Sequence, residues 1–186
     1  MEPSKYYKEE TLPDGSKIVI RAIRPDDREL FARAFQQFTK SPESVRFRFH
    51  GFKRSLSESE AIQMTEVDFV DHVGLVATFG PGPEQPLIGA GRYIVCVNGT
   101  NHNRAEVAFA VLHEHQGKGI GSLLLHQLAM IGRAQGLHEF QAEVLADNRQ
   151  MIAVLKGSGF PIDRSTEVGV DRVLLKIANE PQASNQ

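Results

Sequence analysis

Residues 105–121 read A-E-V-A-F-A-V-L-H-E-H-Q-G-K-G-I-G, a strand-like run that leads into a glycine loop. The loop glycines 117, 119 and 121 lack a Cβ atom, so consecutive backbone N–H groups can turn toward one anion. Apolar residues then recur at helical spacing, at Ile120, Leu123, Leu124, Leu128 and Ile131. The loop therefore lies at a helix N-terminus, where free amides and the helix dipole favour negative charge, and the segment predicts a pyrophosphate site held mainly by backbone.

Three types of phosphate loop can be compared with this segment. A Walker loop needs Ser or Thr after the lysine, but Lys118 is followed by Gly119. A dinucleotide fingerprint would need a third glycine where Ser122 stands. The pattern Gln-x-x-Gly-x-Gly is matched by Gln116, Gly119 and Gly121, and here the chain resembles the GNAT superfamily of acyl-CoA-dependent N-acyltransferases. A glycine turn that only caps the helix is the remaining alternative.

The resemblance extends along nearly the whole chain, over residues 18–177. Residues 148–160, N-R-Q-M-I-A-V-L-K-G-S-G-F, match the family's second cofactor-side helix and its Gly-Phe ending. In the N-terminal half, I-R-A-I-R-P-D-D at 20–27 and S-P-E-S-V-R-F-R-F at 41–49 are similar to bacterial Pat-type protein lysine acetyltransferases. They also resemble the acetyltransferase domains of NDP-forming acyl-CoA synthetases.

The predicted elements follow the order β-α-α-β-β-β-α-β-α-β-β, which is that of the GNAT fold. This is an α/β (α+β) fold with a mixed, mostly antiparallel sheet of about seven strands and helices on both faces. Strands are predicted at 17–23, 73–79, 87–97, 105–112, 139–144, 166–168 and 172–177. Helices are predicted after Pro25, from a capping box at Ser57 and Glu60, after Gly119 and after Asn148. We divide the chain into an N-terminal extension (1–16), one acetyltransferase domain (17–178) and a polar tail (179–186).

Composition limits the classes of protein to which the chain can belong. With 186 residues, 41% of them hydrophobic and 24% charged, it is typical of one globular domain, and a net charge of −2 argues against a dedicated nucleic-acid binder. The basic and aromatic run at 46–54 is interpreted as a solvated loop with anchored aromatic residues rather than an RNA-binding strip. One cysteine, Cys96, allows no intrachain disulfide, and no segment has the length of a membrane span or leader. We therefore expect a cytoplasmic protein without membrane insertion.

The resemblance implies that Glu106 is the general base. In Pat-like enzymes a glutamate occupies this position of the motif, and E-V-A-F matches it directly. Strand alternation places Glu106, Ala108 and Ala110 on one face, so small neighbours leave room for an acceptor beside the carboxylate. The alternative is a glutamate at a solvent-facing strand end with no catalytic role.

The resemblance also assigns the acetyl-CoA site. The main chain of Phe109, Ala110 and Val111 would pair with the pantetheine arm, and the pyrophosphate would be held by Gln116, Gly117, Lys118, Gly119, Ile120 and Gly121. Asn148 would contact pantetheine or cap its helix. Leu155 stands where many relatives have a tyrosine that protonates the departing thiolate, so the general acid is unassigned. His113 and His115 have no accompanying Cys or carboxylate cluster, and no metal site is predicted.

These observations predict an N-acetyltransferase that uses acetyl-CoA in a direct transfer to an amine, with no covalent enzyme intermediate. By resemblance the favoured acceptor is a protein lysine, expected on an AMP-forming acyl-CoA synthetase, and a homodimer is compatible with the sequence. One rival is a small-molecule amine acetyltransferase. The other is a non-catalytic module that binds acyl-CoA and has no need of Glu106.

Overall fold

The computed structural model describes residues 2–40, 56–82, 84–96 and 103–178, which form eight strands and four α-helices. The strands are β1 Tyr7–Thr11, β2 Lys17–Ala22, β3 His72–Thr78, β4 Leu87–Val95, β5 Arg104–Val111, β6 Glu139–Leu145, β7 Ile162–Glu167 and β8 Val170–Lys176. The helices are α1 Arg28–Phe38, α2 Glu58–Thr65, α3 Ile120–Ala134 and α4 Arg149–Lys156. Short 3-10 turns lie at Pro3–Lys5, Pro25–Asp27 and His113–His115.

The strands form one sheet in the order β1-β2-β3-β4-β5-β6-β8-β7. All neighbours are antiparallel except β5 and β6, which are parallel and are connected by α3. The predicted mixed sheet, mostly antiparallel with helices on both faces, is confirmed. None of the helices in the described ranges is long and apolar enough to cross a membrane.

The sheet has one strand more than the seven predicted. The additional strand is β1, which pairs with β2 from Tyr7 opposite Arg21 to Thr11 opposite Lys17. Its sequence, Y-K-E-E-T, shows no apolar alternation because β1 is a largely exposed edge strand. The sheet thus begins within the segment predicted as an N-terminal extension.

One face of the sheet is covered by α3, and the predicted apolar stripe forms the contact. Ile120, Leu124, Leu128 and Ile131 are almost completely buried. Gly91 of β4 lies beneath this helix, where a Cβ atom would come within 3.1 Å of the Leu128 side chain. The glycine therefore lets α3 approach the sheet closely, and this fixes the position of the loop that precedes the helix.

The other face carries α1 and α2 over a smaller apolar cluster. Leu30 and Ala34 of α1 are buried there with Ile23, Val76 and Leu87. α2 begins with the predicted capping box, in which the Ser57 hydroxyl accepts from the backbone N–H of Glu60 at 3.3 Å. The Glu60 carboxylate in turn accepts from the backbone N–H of Ser57 at 2.9 Å.

A buried ion pair fixes the entry to α1. Two guanidinium nitrogens of Arg21 donate to the Asp27 carboxylate at 2.6 and 2.8 Å, and both side chains are only 2% exposed. Asp27 also accepts from the backbone N–H of Arg24 at 2.8 Å. Three donors on one buried carboxylate hold the turn before α1, and so hold α1 against the sheet. Sequence analysis identified Asp27 as part of the helix start, but it did not identify Arg21 of β2 as the partner of Asp27.

Candidate active site

The site begins at an opening in the sheet between β5 and β6. These parallel strands pair only where Arg104–Glu106 lies opposite Glu139–Gln141. Beyond Glu106, β5 continues to Val111 with no strand partner on that side among the described residues. An extended ligand can therefore pair with the open edge of β5 as an added strand would.

The register of β4 and β5 decides which backbone groups face this opening. The N–H of Leu112 donates to Ile88 at 3.0 Å, and the carbonyl of Arg104 accepts from Cys96 at 2.9 Å. Even-numbered residues of β5 therefore direct their N–H and C=O groups toward β4, and odd-numbered residues direct theirs toward the opening. Of the three predicted main-chain contacts, Phe109 and Val111 face the opening. The third residue, Ala110, is hydrogen-bonded toward β4 and lines the cavity with its methyl group instead.

Gln116 ties the loop to this open edge. Its side-chain Nε2 donates to the carbonyl oxygen of Val111 at 3.0 Å. The first residue of the Gln-x-x-Gly-x-Gly pattern thus has a structural contact that the sequence did not reveal. It holds the loop in register with the end of β5.

The glycine loop has the geometry of an anion site. Gly117 and Gly119 have φ angles of +74° and +86°, in the left-handed region that favours glycine. The first bond of α3 runs from the N–H of Leu123 to the carbonyl of Gly119, at 3.0 Å. Within the described part of the chain, no acceptor contacts the backbone N–H groups of residues 117–122. Six successive free amides at a helix N-terminus fit the phosphates of a CoA thioester.

Gly121 and Lys118, both expected to hold the pyrophosphate, have other contacts in the structure. Gly121 lies inside α3 and is buried, and a Cβ atom there would come within 3.3 Å of the Phe109 ring. Its missing side chain allows close packing of α3 on β5. The Nζ atom of Lys118 lies 3.7 Å from the Asp14 carboxylate, and both side chains are roughly two-fifths exposed. Lys118 therefore stands beside the free amides but already has a partner.

α4 forms the opposite wall of the opening. The Asn148 Oδ1 atom accepts from the backbone N–H of Met151 at 3.1 Å, so Asn148 caps α4 while it also lines the cavity. Leu155 is 1% exposed and belongs to the apolar core. It is not among the cavity-lining residues, so the position where relatives have a tyrosine points into the core of this chain.

A cavity of about 790 Å³ continues from the loop and the β5 edge to α1 and α2. Its far end is apolar, with Ile23, Phe31 and Met64 in the lining. Ala108 lines the cavity, and Glu106 precedes it by two residues on the same exposed face of β5, as alternation predicts. Glu106 is exposed and is not itself a lining residue.

Sequence analysis did not single out Arg92 or His72 of this region, and it considered His115 only as a metal ligand. Arg92 of β4 lines the cavity opposite Ala108, and alternation within its predicted strand could have placed it there. His72 is half-buried. Its burial is the main cause that lowers its pKa, and the nearby charge of Arg92 lowers the pKa further. His115 also lines the cavity. Its ring packs edge-to-face with the Phe79 ring, with 5.2 Å between the ring centroids, and burial lowers the pKa of His115.

His113 and His115 lie on the short turn that precedes the glycine loop. In the described ranges, no three His, Cys, Asp or Glu side chains are grouped so that they could hold a metal ion. The basic and aromatic run at 46–54 falls outside the described residues, and so does the polar tail at 179–186.

An open strand edge beside a helix N-terminus with free amides defines an acyl-CoA-dependent acyltransferase site. The model of the Acetyltransferase (GNAT) family matches residues 46–160, and the chain belongs to this family. The protein is thus an N-acetyltransferase whose acyl donor is acetyl-CoA.

Three known proteins illustrate the relationship. The GNAT domain of S. lividans PAT is 36% identical, with a TM-score of 0.82 over 91% of this chain and 96% of that domain. Acetyltransferase Pat of Mycolicibacterium smegmatis is 33% identical over 148 residues, and Acetyltransferase PA5475 of Pseudomonas aeruginosa is 27% identical over 151 residues. The matches cover 78% and 81% of this chain, but 41% of that Pat and 78% of the Pseudomonas protein.

Proposed function

We propose that this protein acetylates a lysine side chain of another protein, with Glu106 as general base. The position of Glu106 carries the proposal: it is exposed and lies on the same strand face as Ala108, which lines the cavity. Two residues along a strand span about 6.8 Å. An amine that enters beside Ala108 is thus within reach of the carboxylate, directly or through one water.

The acceptor amine needs such a base. A free lysine side chain has a pKa near 10.4, so its deprotonation at pH 7 costs about 4.6 kcal/mol. Glu106 takes the ammonium proton, directly or through water, and releases it to solvent. The neutral amine then attacks the thioester carbonyl: a C–N bond forms and the C–S bond breaks. The proton that the nitrogen loses on forming the amide is taken up by the departing thiolate, and CoA leaves as the thiol. Backbone N–H groups of β5 that face the opening, such as that of Phe109, are suited to stabilise the developing oxyanion.

The apolar end of the cavity favours a lysine over a polyamine. A lysine side chain has one charged end on a four-carbon stem, and such stems pack well along apolar surfaces. A polyamine carries further ammonium groups along its chain, and these would lose their hydration against Phe31 and Met64. The cavity thus accommodates a lysine stem at a smaller cost in desolvation.

The similarity to Pat proteins supports the same acceptor class. As the specific acceptor we propose an AMP-forming acyl-CoA synthetase of the cytoplasm. A folded partner of this kind presents its lysine on a surface, which α1 and α2 would contact at the end of the cavity away from the glycine loop.

The test compares two acceptors at equal concentrations of acetyl-CoA. A purified AMP-forming acyl-CoA synthetase and spermidine are each incubated with the wild type, Glu106→Gln and the matched control Glu167→Gln. Glu167 is an exposed glutamate of β7, far from the site. We expect mass spectrometry to show one acetylated lysine that requires Glu106 but not Glu167, with CoA release faster than with spermidine.

Rapid spermidine turnover without enzyme-dependent protein acetylation would replace this proposal with the small-molecule reading. Binding of acetyl-CoA without CoA release for any amine would indicate a non-catalytic module.

A further inference from the structure

We infer that Arg92 binds a carboxylate of the acceptor, so that the enzyme selects an amine with an acidic group close to it. The inference rests on the proposed transfer to an amine beside Glu106. It concerns the chemistry of the acceptor, whether the carboxylate comes from a protein side chain or from a free amino acid.

The first observation is the charge of Arg92 within the cavity. Among the described residues that line the cavity, Arg92 is the one that carries a permanent charge. Within those same residues it makes no ion pair and no side-chain hydrogen bond. By contrast, Arg21 is bonded to Asp27 and Arg104 to Glu139.

The second observation is what surrounds Arg92 on the sheet. Its neighbours across the two adjacent strands are Gly74 on β3 and Ala108 on β5, which have no side chain that could pair with it. The space over Gly74 is occupied by Ile23, whose Cγ2 atom would lie 2.9 Å from a Cβ on the glycine. The half-buried guanidinium of Arg92 also lies near the imidazole of His72, and it makes no ion pair with Glu106 or with any other described carboxylate, so it is available to bind an anion that a ligand supplies.

The third observation is position. Arg92 is directly opposite Ala108, and Glu106 is its diagonal neighbour on the same face, at about 7–8 Å. Leu112 lies four residues beyond Ala108, which is about 13 Å in the direction of β5. The free amides of the glycine loop begin only at residue 117, further along the chain. Arg92 therefore stands beside the reacting amine rather than beside the phosphates of CoA.

A guanidinium can hold a carboxylate through two parallel hydrogen bonds. An acceptor amine at Glu106 and a carboxylate at Arg92 would be separated by the spacing of a diagonal residue pair. A lysine next to an acidic residue can meet this spacing, and so can the amine and carboxylate of free lysine. Arg92 would thus act as a specificity-determining residue on the acceptor side.

The experiment uses the full chain, acetyl-CoA and acceptors that differ only in the carboxylate. One pair is a peptide with glutamate before its single lysine and the same peptide with glutamine. The other pair is L-lysine and cadaverine, the same chain without the carboxylate. Each acceptor is measured with the wild type, Arg92→Gln, Arg92→Lys and the control Arg172→Gln, an exposed arginine of β8.

We expect the wild type to prefer the carboxylate-bearing member of a pair by roughly 10- to 100-fold in kcat/KM, the range for a hydrogen-bonded charged group. Arg92→Gln should abolish this preference by raising KM for the carboxylate acceptor, with the other acceptor nearly unchanged. Arg92→Lys should retain part of it, because lysine keeps the charge but not the bidentate geometry. Arg172→Gln should behave as the wild type.

Absence of a preference in the wild type would overturn the inference without any variant. An equal loss for both members of a pair in Arg92→Gln would also overturn it, and would assign Arg92 to the thioester or to Glu106 instead. If only L-lysine is acetylated, and Arg92 still sets its advantage over cadaverine, the proposed protein acceptor fails while the role of Arg92 stands.

Discussion

The two sides of the cavity are built differently. On the side that we propose to bind acetyl-CoA, the available groups belong to the backbone: the open edge of β5 and the free amides of residues 117–122. On the acceptor side, they come from side chains of separate elements, Phe31 of α1, Met64 of α2 and Arg92 of β4. One continuous motif can encode the first side, whereas the second exists only after the chain has folded. Substitutions on the two sides should therefore have separable effects on donor binding and on acceptor turnover.

The largest effect is expected at the junction of the two sides. Glu106→Gln should lower turnover by roughly 10² to 10⁴ at neutral pH, the usual contribution of a positioned general base, and should leave acetyl-CoA affinity unchanged. Stopped-flow kinetics of the transfer step and calorimetry with acetyl-CoA measure the two quantities. If the transfer step keeps its wild-type rate from pH 6 to 9, Glu106 is not the base.

A change in the backbone side should act on donor binding instead. Gly119→Val forces a β-branched residue to φ +86° and directs its side chain into the anion path, so acetyl-CoA affinity should fall by about 10- to 100-fold. Gly136 follows α3, has the same φ of +86° and also has open space around it. Gly136→Val should therefore lose similar stability and no affinity. Equal affinities for the two variants would remove the loop from the donor site.

The core beneath both sides should respond in stability. The sequence predicts that Leu155 contributes shape rather than proton transfer, so Leu155→Phe should leave the transfer chemistry intact. Because Leu155 is 1% exposed, the larger ring should overpack the core and lower stability by about 1–3 kcal/mol. Thermal unfolding should show a clearly lower midpoint. A midpoint equal to that of the wild type would place Leu155 outside the core.

The smallest effect is expected at Gln116, the first residue of the loop motif. Gln116→Leu removes the hydrogen bond to the Val111 carbonyl, which is worth about 0.5–1.5 kcal/mol, so KM for acetyl-CoA should rise by roughly 2- to 10-fold. The acceptor KM should not change. A change confined to the acceptor KM would contradict the separation of the two sides.

Much of the donor side was predicted from sequence because its signals are local. The glycine loop, the buried stripe of α3 and the alternation that presents Glu106 all depend on spacings of a few residues, and the structure has them as predicted. The capping box of Ser57 and Glu60 is a local signal of the same kind. Edge strands are harder, since β1 and most of β7 are exposed and lack an apolar period.

The sequence by itself determined the family, the order of the elements from β2 onward and the glycine loop that we propose to receive the donor phosphates, because periodicity and turn chemistry act over short stretches of chain. Only the tertiary structure decided that β5 separates from β6 after Glu106, that Gln116 holds Val111, and that Leu155 points into the core. It also decided that Arg92 is left without a partner in the cavity lining described here. These features depend on the packing of residues distant in sequence, which no local pattern records.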